Sequence, residues 1–208
     1  MGFAIDQFVE CRPYLFHLTA RSNALEIVRR RQIESASQLL RRAGRGVLLR
    51  QKREDHVAIE IDGHRVQLRD QAPLHAGNIE YAGQWRLPDV IETLNDRIFF
   101  WPGTASGPIV YGRRHFERYR IEDVVVIVLA AHDAFRINAD AMPSFCRYNS
   151  GSPRCSGGRK SPRGPDTFLS AAEFVGSASQ VVEVTFLHRF ALDPKFVRVS
   201  KLSEWITD

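Results

Sequence analysis

Cysteine is scarce in this chain, with only Cys11, Cys146 and Cys155 among its 208 residues. Three cannot complete a disulfide framework, and no two stand in the CxxC spacing that holds zinc. A reducing, cytoplasmic setting and no bound metal are the expectations. Long apolar runs are also lacking. The longest, residues 124–131, has strand length, far below the roughly 18 apolar residues that span a bilayer. The first residues carry Asp6 and Glu10 but no basic stretch, which predicts no secretory signal and no membrane association. A Gly-rich phosphate loop and a serine nucleophile elbow are missing too. So is any internal repeat. Lysine is rare, and arginine supplies nearly all of the cations behind a formal net charge of +5. Arginine makes planar, bidentate contacts to phosphates, so nucleic acid or another polyanion is the expected class of partner.

The apolar material suffices for one domain spanning residues 1–208. Asn23 and Glu26 have capping-box spacing, which predicts a helix with Asn23 as its cap, ending at Arg29, Arg30 and Arg31. Residues 35–43 read as a second helix. Alternating runs on either side of Asp62-Gly63 predict a hairpin. Residues 88–94 read as a helix with Pro88 in its first turn. Residues 97–101 read as a strand stopped by Pro102-Gly103, followed by a small-residue loop to Pro108. A helix over 109–119 and strands over 124–129, 181–186 and 197–202 complete the pattern. Residues 147–166 combine Arg147, Arg154, Arg159, Lys160 and Arg163 with Asn, Ser, Gly and Pro. This composition predicts a basic, flexible loop.

Three places can carry chemistry. In Tyr14-Leu15-Phe16-His17-Leu18-Thr19, an imidazole and a hydroxyl stand two apart on an apolar strand, hence on one face. Phe99-Phe100-Trp101 forms an aromatic strand in mid-chain. Glu183 is a lone carboxylate among valines, and a buried carboxylate needs a partner. Glu173, ten residues earlier, is its rival.

The opening motif resembles that of ADP-ribosyltransferases, in which an aromatic-His-x-Thr strand precedes a helix like the one beginning near Asn23. The order of His strand, aromatic strand and late Glu strand is similar as well. The likeness is strongest to DarT-type bacterial toxins, which modify DNA bases with NAD, and to an uncharacterised bacterial family sharing the Phe-Phe-Trp-Pro-Gly element. The resemblance implies an α+β fold with two small, mostly antiparallel sheets forming an NAD cleft and helices packed outside. It implies NAD as a substrate, with ADP-ribose passing to a nucleic-acid or nucleotide-like acceptor. His17 would bind a ribose hydroxyl of NAD, Thr19 would support that pocket, and Phe99 or Phe100 would wall the nicotinamide. Glu183 would hold the nicotinamide ribose and stabilise the transition state. Asn149, Arg154 and Arg163 would meet the acceptor. An antitoxin or immunity partner follows by the same analogy. DarT-type toxins carry an arginine soon after the aromatic strand, and here none follows Trp101. Arg113, Arg114 and Arg69 are the candidates for that role. Two other classes stay open: an NAD-dependent RNA 2′-phosphotransferase, and a catalytically silent nucleic-acid-binding domain on the same fold.

Overall fold

The computed structural model describes residues 2–206. Its first half runs α1 (Ile5–Cys11), β1 (Tyr14–Ala20), α2 (Arg21–Arg30), β2 (Gln32–Glu34), α3 (Ala36–Arg42), β3 (Val57–Ile61), β4 (His64–Leu68), β5 (Ile79–Tyr81), α4 (Leu87–Asn95) and β6 (Arg97–Thr104). The second half continues with β7 (Gly107–Pro108), α5 (Val110–Arg118), β8 (Val124–Ala130), α6 (Ala131–Ile137), β9 (Ser144–Cys146), β10 (Ser161–Arg163), β11 (Glu183–Leu187), β12 (Arg189–Ala191) and β13 (Val197–Lys201). The class is mixed α+β, as the sequence led us to expect. The sheets are arranged differently. A seven-stranded sheet follows the six-strand path β13-β8-β1-β6-β11-β9, with β7 attached to β6, and three two-stranded ladders lie beside it.

Strand β6 is the pivot. Its C-terminal half pairs with the start of β1, Phe16 opposite Trp101 and Tyr14 opposite Gly103. Its N-terminal half pairs instead with β11, Val184 opposite Phe100 and Leu187 opposite Arg97. Meanwhile β1 stays on β8 along its whole length. Past Phe16 and Trp101 the two strands therefore part, and a wedge opens between two antiparallel halves of one sheet. Pro102-Gly103 does not stop β6, because Pro102 faces Leu15 and Gly103 faces Pro108 in a tight turn back to β7. A Cβ on Gly103 would lie 2.2 Å from the Gly107 carbonyl oxygen, so only glycine fits there.

Alternation along β6 and β11 separates two faces. Ile98, Phe100, Val184 and Phe186 join the main core, where Phe190 packs 4.7 Å from both Phe100 and Phe186 between ring centroids. Arg97, Phe99, Glu183 and Thr185 take the opposite face. The Asp62-Gly63 hairpin forms as expected, both turn residues adopting positive φ of 53° and 76°.

Two expectations fail at this level. Ala20, not Asn23, precedes the first turn of α2, so Asn23 lies inside the helix. Its side chain reaches the β4 backbone, accepting from Gln67 N–H at 3.0 Å and donating to Gln67 C=O at 2.8 Å. The 147–166 segment is not a free loop either. Its β10 pairs in parallel with β5, and Ser150, Pro153, Arg163 and Gly164 are buried.

Candidate functional site

One cavity of about 930 Å³ occupies the wedge, a size at the upper end for small-molecule and cofactor sites. It brings together His17, Thr19, Phe99, Asn149 and Glu183, which are up to 166 positions apart in sequence. The hairpin β3–β4 and helix α2 close its other side, contributing Gln67, Leu68, Arg69 and Asn23.

His17 is the first residue of β1 beyond the last pair with β6. Its ring bridges the opening gap, Nδ1 standing 2.9 Å from the Phe99 carbonyl oxygen. A carbonyl only accepts, so Nδ1 carries the proton and Nε2 offers its lone pair. Burial pushes the His17 imidazole down to about 4; the Phe99 contact opposes this and the nearby Arg69 charge adds to it. The ring is thus neutral near pH 7 and acts as a fixed acceptor. Thr19, two residues on, shares the cavity and sits 3.5 Å from the Asn23 amide nitrogen.

Glu183 opens β11 on the cavity face and is only 3% exposed. The Ser150 backbone N–H lies 3.2 Å from both carboxylate oxygens. Burial raises the carboxyl to about 7, although hydrogen bonding to Ser150 and the charge of Arg163 pull it down. Near neutral pH it is divided between acid and base forms, which suits a group that exchanges protons. Phe99 stands on the same face, edge-on to Phe168 at 6.0 Å.

A second polar group lies on the side of α5 and β4. Arg69 stacks over Tyr119 at 4.2 Å, and Tyr119 donates to Asp70 at 3.1 Å. His56 contacts Glu122 through Nε2 at 2.9 Å and accepts the Asp70 N–H through Nδ1 at 3.2 Å. His115 lies between Trp101 and Tyr119, and burial, with Arg69 next in effect, lowers it to about 3. Sequence reasoning singled out none of His56, Tyr119 or His115. Their spacing carries no motif, and only the meeting of Arg69 and Asp70, just after β4, with Tyr119, just after α5, unites them.

Among the described residues that line the cavity, the guanidinium atoms Arg69 Nη1 and Arg97 Nε are buried without a hydrogen-bond partner. Buried donors are rarely left unpaired in native proteins. Both are donors open to water or to a ligand within the cavity.

A family of unknown function, DUF7002, matches residues 13–195. The chain belongs to this family. The matched span includes every residue that lines the cavity, whereas α1 and the edge strand β13 fall outside it. No curated protein and no solved structure matches the chain. Among the described residues no group of His, Cys, Asp and Glu could hold a metal ion, and no helix is long and apolar enough to cross a membrane.

Several expected site residues lie elsewhere. Phe100 points into the main core and is fully buried there, because alternation on β6 gives the cavity to Phe99. Arg113 and Arg114 are on the exposed side of α5, whose buried positions are Gly112 and Phe116. Of the three arginines considered, Arg69 alone lines the cavity. Arg154 is exposed and away from the cavity. Arg163 is 1% exposed and is engaged with three backbone carbonyls and the Ser161 hydroxyl, so it is not free to meet an acceptor. Asn149 does line the cavity. Glu173 is exposed and engaged with Ser170 in a surface turn, so of these two candidates Glu183 is the one that lines the cavity.

Proposed function

We propose that this protein is an NAD-dependent ADP-ribosyltransferase with an ADP-ribosyltransferase-like fold. The supporting observation is the meeting of His17 and Glu183 in one wedge-shaped cavity opened by the parting of β1 and β6. A neutral imidazole with its acceptor nitrogen free suits a ribose hydroxyl. The guanidinium atoms Arg69 Nη1 and Arg97 Nε are donors at the cavity, which suits the oxygen-rich pyrophosphate part of a dinucleotide. Phe99 supplies an aromatic wall for nicotinamide.

In this reading the bond between nicotinamide and the ribose anomeric carbon breaks, and the acceptor's nucleophile forms a new bond to that carbon. Glu183 stabilises the cationic character of the sugar during this exchange. Its carboxylate then takes the proton released by the nucleophile. Arg69 replaces Arg113 and Arg114 as the arginine assigned to the NAD site. A nucleic-acid or nucleotide-like acceptor is supported by the exposed cations Arg147, Arg154, Arg159 and Lys160, which lie in the segment that also supplies Ser150.

The test is nicotinamide release by the purified protein with single-stranded DNA, RNA or 2′-phosphorylated RNA as acceptor. Glu183→Gln should slow release by about 100-fold or more. Equal release by wild type and variant, or no release with any acceptor, would sink this reading. Phosphate transfer confined to the 2′-phosphorylated RNA would favour the phosphotransferase chemistry instead.

A further inference from the structure

Arg163 is a charged side chain almost completely removed from water, yet among the described residues it forms no salt bridge with a carboxylate. Its guanidinium instead gathers backbone. Nε donates to the Ser150 carbonyl at 3.1 Å and Nη2 to the Asn149 carbonyl at 2.9 Å. Nη1 donates to the Pro162 carbonyl at 2.7 Å and to Ser161 Oγ at 2.8 Å. The fork thus ties the Asn149-Ser150 turn to β10, which is itself anchored to β5. The peptide N–H of that same Ser150 is the group that caps both oxygens of Glu183.

We infer that Arg163 is a positioning residue for Glu183: by clamping the Asn149 and Ser150 carbonyls it holds the Ser150 N–H on the carboxylate and keeps Asn149 and the Ser150 hydroxyl at the cavity wall. The turn has no regular secondary structure of its own to fix it, and its neighbours are Gly151, Ser152 and Pro153. A planar five-donor fork is the side chain best suited to hold several carbonyls at once. Lysine would keep the charge but lose the fixed geometry. The titratable and charged groups around Glu183 are Arg163, the buried Cys146 opposite it on β9, Arg97 on β6, and Tyr148, whose ring lies 5.3 Å from the Arg163 guanidinium. The chemical use of Glu183 rests on the transferase reading, but the clamp itself does not.

The experiment therefore uses no NAD. In wild-type protein labelled with ¹³C at glutamate carboxyls and ¹⁵N at backbone amides, Glu183→Gln assigns the Glu183 signal. The Ser150 amide should titrate with the same midpoint as the Glu183 carboxyl. Arg163→Met and Arg163→Lys should each move that midpoint upward, by about one unit for Met and less for Lys, as the cap loosens and the positive charge is lost or displaced. The Ser150 amide should also lose its response to pH. A Ser150 amide that ignores the Glu183 titration in wild type would overturn the proposal even if neither variant folds. So would an unchanged Glu183 midpoint in a folded Arg163 variant whose only defect is a lower Tm. Absence of NAD turnover in all forms would count against the transferase and leave the clamp standing.

Discussion

A buried carboxylate hydrogen-bonded only by Ser150 carries a cost that depends on pH. Folding raises Glu183 from an ordinary 4.5 to about 7. The folded chain therefore holds this proton more tightly than the unfolded chain. The contribution of the group is whole below about pH 4.5 and is lost as pH rises to 7, where the charged form costs about 3 kcal/mol. Glu183→Gln removes this loss. Urea denaturation should find the variant more stable than wild type at pH 8 by up to about 3 kcal/mol, with little difference at pH 4.5. His17 and His115 act in the opposite sense. Both are depressed below the usual 6.5, so their contribution is present above that pH and is lost as pH falls toward 4 and 3. Wild-type stability should therefore decline below pH 6.5, and more steeply in Glu183→Gln, which lacks the opposing carboxyl. If Glu183 works as the carboxylate, kcat/KM for nicotinamide release should rise with an apparent pKa near 7. A pH-rate profile flat from 5 to 8 would remove Glu183 from that role.

The hairpin β3–β4 forms the cavity's outer wall and has only a small core of its own, built from Ile59, Ile61 and Leu68 with Leu40 of α3. Its position depends on attachments. At the tip, Asp62 meets Arg30 of α2 and Arg42 of α3, and Arg42 also reaches Glu34 at 2.5 Å. Exposed pairs of this kind contribute little singly. The stronger link is Asn23, whose amide completes both the N–H and the C=O of Gln67 as a neighbouring strand would. Asn23→Ala should cost about 1–3 kcal/mol and speed hydrogen exchange at the Gln67 amide, while β1 and β8 keep their protection. A second element-scale contact lies between α5 and β6. A Cβ on Gly112 would stand 2.8 Å from the Cβ atoms of both Trp101 and Pro108. Gly112→Ala should destabilise by about 1–3 kcal/mol, measured by thermal unfolding, because helix and strand must separate to admit it.

For the molecule as a whole, the net charge of +5 is unevenly useful. Many arginines are already engaged, such as Arg50 with Asp89 and Glu92, or Arg53 with Asn95 and the Arg69 carbonyl. Arg147, Arg154, Arg159 and Lys160 remain exposed along one segment. If that segment meets a single-stranded nucleic acid, replacing all four by alanine should reduce the slope of log K against log salt by about 3. An unchanged slope in a filter-binding or anisotropy titration would show that the polyanion docks elsewhere or not at all.

Local chemistry fixed much of this protein in advance. Asp62-Gly63 favoured a hairpin because both residues tolerate positive φ, Pro88 stood in the first turn of a helix, and the β-branched apolar run at 124–130 read as a buried strand. His17 and Glu183 stood out because polar groups in apolar strands need partners. Other features depended on contacts across many residues. Asn23 looked like a cap, yet it serves β4, a strand more than 40 residues away. Phe99 and Phe100 were equivalent until pairing with β11 gave one to the cavity and the other to the core. Arg69 emerged over Arg113 and Arg114 only because the chain just past β4 lies over Tyr119. Arg163 looked like a surface cation until β10 paired with β5 and drew it inside. The sequence determined which residues were chemically unusual, since burial cost and backbone preference are properties of each residue and its neighbours. The tertiary structure decided which of them meet, because the parting of β1 from β6 and the clamp on Ser150 arise from pairings distant in sequence.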